Sequence, residues 1–209
     1  SSTTTAPDEM NSSDTGEQST DALSSTTAAP DIVNSSETDV SFSETNSTFT
    51  VHFIDVGQAD AALILCDGAS MLIDGGNAAD SNLIYTYLKK WDITYLDVVV
   101  NTHPHEDHVG GLAGALHYAD VGIAYAPVTT YDSKAFCNFT KALEQKNLSL
   151  TVPTVGDTFS LCSAVVTVLG PITMTEEVNN TSIVLHITYG ETSFLFMGDA
   201  EVAEEEELV

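Results

Sequence analysis

The 209-residue sequence contains no arginine and only five lysines, against 31 aspartates and glutamates. The formal net charge is −26. Such a surface repels nucleic acid and anionic membranes over most of its area. With no basic stripe to neutralise phosphates, tight electrostatic binding of long nucleic acid is excluded. Bound metal cations would reverse the sign only locally. Cysteine is also scarce: Cys66, Cys137 and Cys162 form no CxxC pair, and their odd number argues against a disulfide framework. Each reads as a small buried hydrophobe. No stretch approaches the roughly 18–20 apolar residues needed to cross a bilayer. The sequence opens at Ser1 rather than at methionine, so a processed form that has lost an export signal is expected.

Residues 1–49 are rich in Ser, Thr, Ala, Asp and Glu and show no apolar period. They cannot bury enough surface to offset the entropy of ordering, and read as a disordered linker. Tails of this composition suit tethering of an exported domain at a cell surface. The expected location is therefore extracellular or surface-tethered, in a bacterium.

Residues 50–209 read as one α/β domain. Short apolar runs punctuated by glycine predict strands around Val51–Val56, Ala61–Leu65 and Met71–Ile73. Leu83, Ile84, Tyr87, Leu88 and Trp91 follow helical spacing and predict a helix over Ser81–Trp91. Asp97–Asn101 reads as a buried strand, with a helix marked by Val109, Leu112, Ala113 and Leu116 soon after it. Ser133 is placed to cap a helix carrying Phe136, Phe139 and Leu143. Strands recur at Val165–Leu169, Ile183–Ile187 and Phe194–Met197, and Glu204–Glu207 reads as a solvated helix face.

The chemistry concentrates in one run, His103-Pro104-His105-Glu106-Asp107-His108, directly after the apolar strand. Imidazole and carboxylate suit zinc and related divalent ions. His103 and His105 lie two apart on an extended segment, so both rings can face one ion. Asp107 and His108 follow the bend and can reach a second. Asp199 ends an apolar strand just after a glycine and can bridge the two ions; a turn or helix-cap role is its alternative. Asp74 has the same strand-end setting and can hold a ligand histidine in its tautomer, with a plain turn role as the alternative. His52, His117 and His186 have no clustered partner and read as packing or surface residues. Backbone N–H groups at Gly110-Gly111, opening the following helix, are expected to favour an anionic substrate.

The run matches the HxHxDH signature of the metallo-β-lactamase superfamily, which the chain resembles over about residues 51–205. Four stretches narrow the resemblance: Val51 to Asp60 (VHFIDVGQAD), Leu72 to Gly76 (LIDGG), Asn180 to Leu185 (NTSIVL) and Phe194 to Asp199 (FLFMGD). In this order they resemble the hydrolase domain of ComEC-type competence proteins and cell-surface phosphodiesterases of the phosphorylcholine esterase kind. The resemblance implies an αββα sandwich and two divalent metal ions, Zn or Mn. It places His103 and His105 on the first ion, Asp107 and His108 on the second, and Asp199 between them, with Asp107 and Asp199 the catalytic carboxylates. Asp74 would stand behind the ligands. Asp60 and Asn180 would lie near them, behind the ligands or on the substrate side, Asn180 near where other branches carry a third histidine. The family's late His-His-Gly-Ser-like stretch does not follow, so the sandwich is expected to be truncated at its C-terminal end, with an incomplete second metal site.

The activity this implies is metal-dependent hydrolysis, above all of phosphodiesters, by a hydroxide held between two ions about 3.5–4 Å apart. The substrate would be a small-molecule or cell-wall phosphodiester. Hydrolysis of another ester or amide, or a non-catalytic exported binding module, are the competing readings. The oligomeric state is left open.

Overall fold

The computed structural model describes residues 48–208. The linker reading of residues 1–49 falls almost wholly outside them.

Two sheets face each other. The first has six strands in chain order: β1 (Phe49–Phe53), β2 (Ala62–Cys66), β3 (Ala69–Ile73), β4 (Tyr95–Val100), β5 (Asp120–Tyr125) and β6 (Leu150–Thr151). β1, β2 and β3 form an antiparallel meander, whereas β3 to β6 run parallel. The second sheet is an antiparallel meander of β7 (Thr158–Leu161), β8 (Ala164–Gly170), β9 (Val184–Tyr189) and β10 (Thr192–Phe196).

The sequence of β4 explains its central place. Val98, Val99 and Val100 are all buried, as expected for a parallel strand covered on both faces. Val99, with Leu63 and Leu72, faces a core built with helices α1 (Ser81–Lys90), α3 (Leu112–Tyr118) and α4 (Lys134–Gln145). Val98 and Val100, with Ile64, Met71 and Ile73, pack against Val166, Val168, Leu185 and Ile187 of the second sheet. β8 keeps a period of two instead: Ala164, Val166 and Val168 are buried while Val165 is exposed. A short helix, α2 (Glu106–Val109), stands between β4 and α3, and α5 (Val202–Leu208) touches β8.

Ser133 caps α4 as its spacing predicts, its Oγ accepting from Phe136 N at 3.2 Å. Three expectations fail. Trp91 is not a core position: α1 stops at Lys90, and the indole is 47% exposed. Of the cysteines only Cys66 is buried; Cys137 and Cys162 are exposed. Glu204 is not solvated but buried, because its Oε1 accepts from Ile172 N at 2.8 Å and fastens α5 to the turn after β8.

Candidate metal centre

Parallel strands β3 and β4 run in the same direction, so their C-terminal ends open at one edge of the sheet, where ligands collect in open α/β folds. Asp74 follows β3, and Asn101, Thr102 and His103 follow β4. Asp74 adopts a left-handed backbone (φ +56), and its N–H bonds Val100 O at 2.8 Å. Backbone bonds tie neighbouring loops to this edge: Gly75 N to His108 O, Gly76 N to Asp60 O and Asp60 N to Asp107 O.

Three side chains converge. Nitrogens of His103 and His108 and an oxygen of Asp199 all lie within 4.8 Å of one another. Both histidines are buried, while Asp199 is partly open to solvent. The carboxylate is divided between the rings: Asp199 Oδ1 is 3.2 Å from His108 Nε2, and Oδ2 is 4.0 Å from His103 Nε2. His105 joins from the other side, with Nδ1 3.0 Å from His103 Nε2. Asp107 does not fall within the three-residue cluster. It occupies the second position of α2, and its carboxylate helps to raise the pKa of Asp60.

The donor set fits a divalent cation. Two nitrogens bound to one tetrahedral zinc at about 2.0–2.1 Å lie roughly 3.3 Å apart, close to the His103–His105 separation. Without a cation between them, one of those nitrogens must carry a proton; with one, both lone pairs can point at it. His108 is prepared in the same sense. A carboxylate only accepts, so the 2.9 Å contact with Asp74 Oδ2 places the proton on His108 Nδ1 and leaves Nε2 facing Asp199.

Asp74 is itself saturated. Oδ1 accepts from Thr102 N at 2.8 Å and Asn101 Nδ2 at 3.2 Å; Oδ2 accepts from the Thr102 hydroxyl at 2.6 Å as well as from His108. Four donors on one buried carboxylate fix its orientation. Burial works against a charged His108, but the hydrogen bond and charge of Asp74, with Asp199 and Asp60, outweigh it and push its pKa up to about 9. His103 moves the other way, to about 4, through burial and then the neighbouring charge of His108. Asp60 is raised, chiefly by burial. It lines a cleft of about 430 Å³ beside the cluster, together with Asp74, Thr102, Phe53 and Phe196.

Two residues of the site were not singled out from the sequence, although Ser182 lies within the NTSIVL stretch. Thr102 braces Asp74, and Ser182 ties the halves together. Ser182 Oγ accepts from Asp199 N at 3.2 Å, lies 3.4 Å from His103 Nδ1 and donates to Asn179 O at 2.6 Å. Their interest lies in what the fold brings beside them. Asn180 stands behind the ligands, one of the two places expected for it. Its Oδ1 accepts from Glu201 N at 2.9 Å, so it clamps the chain just after Asp199. Gly198 (φ +55) precedes Asp199 because a Cβ there would meet Thr102 Oγ1 and Ser182 Oγ at 2.9 Å.

The Gly110-Gly111 pair does not serve an anion. Gly110 N bonds Glu106 O at 2.9 Å and Gly111 N bonds Gly76 O at 3.1 Å, so neither N–H is free. Both glycines are instead demanded by packing, since a Cβ on either would collide with the backbone of Ala78 or Gly75.

Fold and site together define a two-sheet α/β sandwich with a candidate His/Asp metal site at its strand ends. The chain belongs to the metallo-beta-lactamase superfamily, whose sequence profile matches residues 54–209 and whose members are mostly metal-dependent hydrolases. Among solved structures, a HARLDQ-motif mutant of a metallo-beta-lactamase from Cronobacter sakazakii is similar at 15% identity, covering 70% of this chain and 60% of its own, with a TM-score of 0.50. A second mutant of that enzyme gives 13% identity, coverage of 70% and 58%, and a TM-score of 0.51. The metallo-beta-lactamase fold protein YhfI from Bacillus subtilis gives 18% identity, coverage of 66% and 54%, and a TM-score of 0.45. The chain thus spans about 54–60% of the length of these proteins. No curated protein matches the sequence.

Proposed function

We propose that this domain is a two-metal phosphodiesterase, exported and held at a cell surface by its Ser/Thr- and acid-rich N-terminal segment. The observation that carries the two-ion reading is the division of Asp199 between His103 and His108, with His105 beside the first. His103, His105 and Asp199 would hold one ion, and His108, Asp199 and Asp107 the other. When bound, such ions supply Lewis acidity and lower the pKa of water at the site.

The chain's own residues supply the rest. Asp74 keeps the proton on His108 Nδ1, so that Nε2 stays available as a ligand. Ser182 fixes Asp199 from its backbone side. Asp60, held above the usual carboxylate range by burial at the edge of the cleft, is the group placed to give a proton to a leaving oxygen. The apolar wall of that cleft, Phe53, Ile54, Leu195 and Phe196, suits the organic part of an ester. With the Gly110 and Gly111 N–H groups engaged, attraction of an anionic ester falls to the ions themselves. The narrower resemblance to surface phosphodiesterases supports the phosphodiester.

The test is turnover of bis-p-nitrophenyl phosphate by the Mn²⁺- or Zn²⁺-loaded protein, beside a neutral carboxylic ester and a lactam. The expected result is phosphodiester cleavage that is lost in the His103→Ala/His105→Ala variant. Equal rates for variant and parent would overturn the proposal, and turnover confined to the ester or lactam would move it to another substrate class.

A further inference from the structure

Of the two rings that face Asp199, His108 has a carboxylate behind it and His103 has two hydroxyls. His103 Nδ1 lies 3.3 Å from Thr102 Oγ1 and 3.4 Å from Ser182 Oγ. All three residues are buried, so this nitrogen must find its partner among these groups.

A hydroxyl carries one proton and two lone pairs. The Thr102 proton is committed to Asp74 Oδ2 at 2.6 Å, and the Ser182 proton to Asn179 O at 2.6 Å. Carboxylate and carbonyl oxygens only accept, so neither proton is free to turn toward the ring. Both hydroxyls therefore meet His103 Nδ1 with lone pairs. A bare Nδ1 would be a third acceptor facing two others. A protonated Nδ1 makes a forked hydrogen bond to both. The proton thus belongs on Nδ1, which leaves the lone pair on Nε2, the atom 3.0 Å from His105 Nδ1 and 4.0 Å from Asp199 Oδ2.

We propose that Thr102 and Ser182 are positioning residues that set the tautomer of His103 and so make Nε2 its ligand atom. The pair acts across the sandwich. Thr102 follows β4 of the first sheet, and Ser182 stands just before β9 of the second. Ile183 N bonds Thr102 O at 2.8 Å and holds the two loops together. One acceptor comes from each sheet, so the ring is fixed in this form only where the sheets are packed. The two histidines are thereby held by different chemistry. A carboxylate behind His108 makes that ring more basic, whereas hydroxyls orient His103 without adding charge. The ligand role of Nε2 rests on the two-metal reading above; the tautomer can be read without metal.

Two-bond ¹H–¹⁵N correlation spectra of the metal-free, ¹⁵N-labelled full chain report which imidazole nitrogens carry protons, with His103 assigned through its backbone. In neutral buffer the expected pattern for His103 is a protonated Nδ1 and a bare Nε2. In Ser182→Ala/Thr102→Val that pattern should be lost, both nitrogens moving to intermediate frequencies, while His108 keeps its Nδ1 proton on Asp74. Thr102→Ser, which keeps the hydroxyl, should give the parental pattern. A protonated Nε2 with a bare Nδ1 on His103 of the parent would overturn the proposal without recourse to any variant. The parental His103 pattern in a folded double variant would overturn it too. Turnover of bis-p-nitrophenyl phosphate is a separate readout: an inactive protein that still shows the Nδ1 proton would uphold the tautomer and sink hydrolysis alone.

Discussion

His108 Nδ1 lies 2.9 Å from Asp74 Oδ2, with both side chains buried. This contact determines which face of His108 is presented to a metal. A hydroxyl, a backbone N–H and an amide N–H also converge on Asp74, so the carboxylate cannot rotate away without breaking several bonds.

Asp74→Asn tests that arrangement. Asparagine keeps the shape but offers one acceptor oxygen where aspartate has two, and its NH2 would face a donor. Zinc affinity should fall about 10–100-fold, the usual effect of removing the group behind a ligand histidine. Competition with a chromophoric chelator measures it. Parental affinity in a folded Asp74→Asn protein would show that Asp74 serves only the turn.

The shifts of His103 and His108 predict how the metal-free protein responds to pH. His108 has its pKa raised to about 9 from an ordinary 6.5, so its contribution is complete below pH 6.5 and is lost as pH rises through 9. His103 is lowered to about 4, so its contribution is complete above pH 6.5 and is lost as pH falls through 4. The melting temperature after chelation should therefore peak near pH 6.5. His108→Gln should flatten the alkaline limb and His103→Gln the acid limb relative to the parent. A parental alkaline limb in His108→Gln would refute this account of the pair. Zinc binding at neutral pH must also displace a proton, so affinity should rise with pH and proton release should appear in calorimetry.

Gly111→Ala probes the packing of α3 against the loop after β3. An added methyl meets the Gly75 carbonyl, which is backbone and has little room to yield. A loss of about 1–3 kcal/mol is expected from denaturant unfolding, the range for overpacked sites. The loss should be similar with and without phosphate, because the Gly111 N–H is bonded to Gly76 O. Stabilisation by phosphate in the parent alone would restore the anion-binding reading.

Much of the fold was legible because it follows short-range rules. The consecutive valines of β4 mark a doubly covered strand, the alternation in β8 marks a singly covered one, and Ser133 marks a helix start. The HxHxDH run announced its chemistry because imidazoles so close in sequence leave few other uses. Where the sequence misled, a long-range contact intervened. Glu204 looks solvated until Ile172 N is found beside it. Trp91 continues the apolar stripe of α1, but the helix ends one residue earlier. The Gly110-Gly111 pair resembles an anion cradle, yet its N–H groups are taken by Glu106 and Gly76.

By itself the sequence determined most of the strands and helices, the family and a set of candidate metal ligands, since these depend on period, turn chemistry and close spacing. The tertiary structure alone decided that Asp199 stands between His103 and His108 and that Ser182 and Asn180 hold it there. Those relationships join residues tens of positions apart. They exist only once two sheets have packed face to face and brought the ends of their strands together.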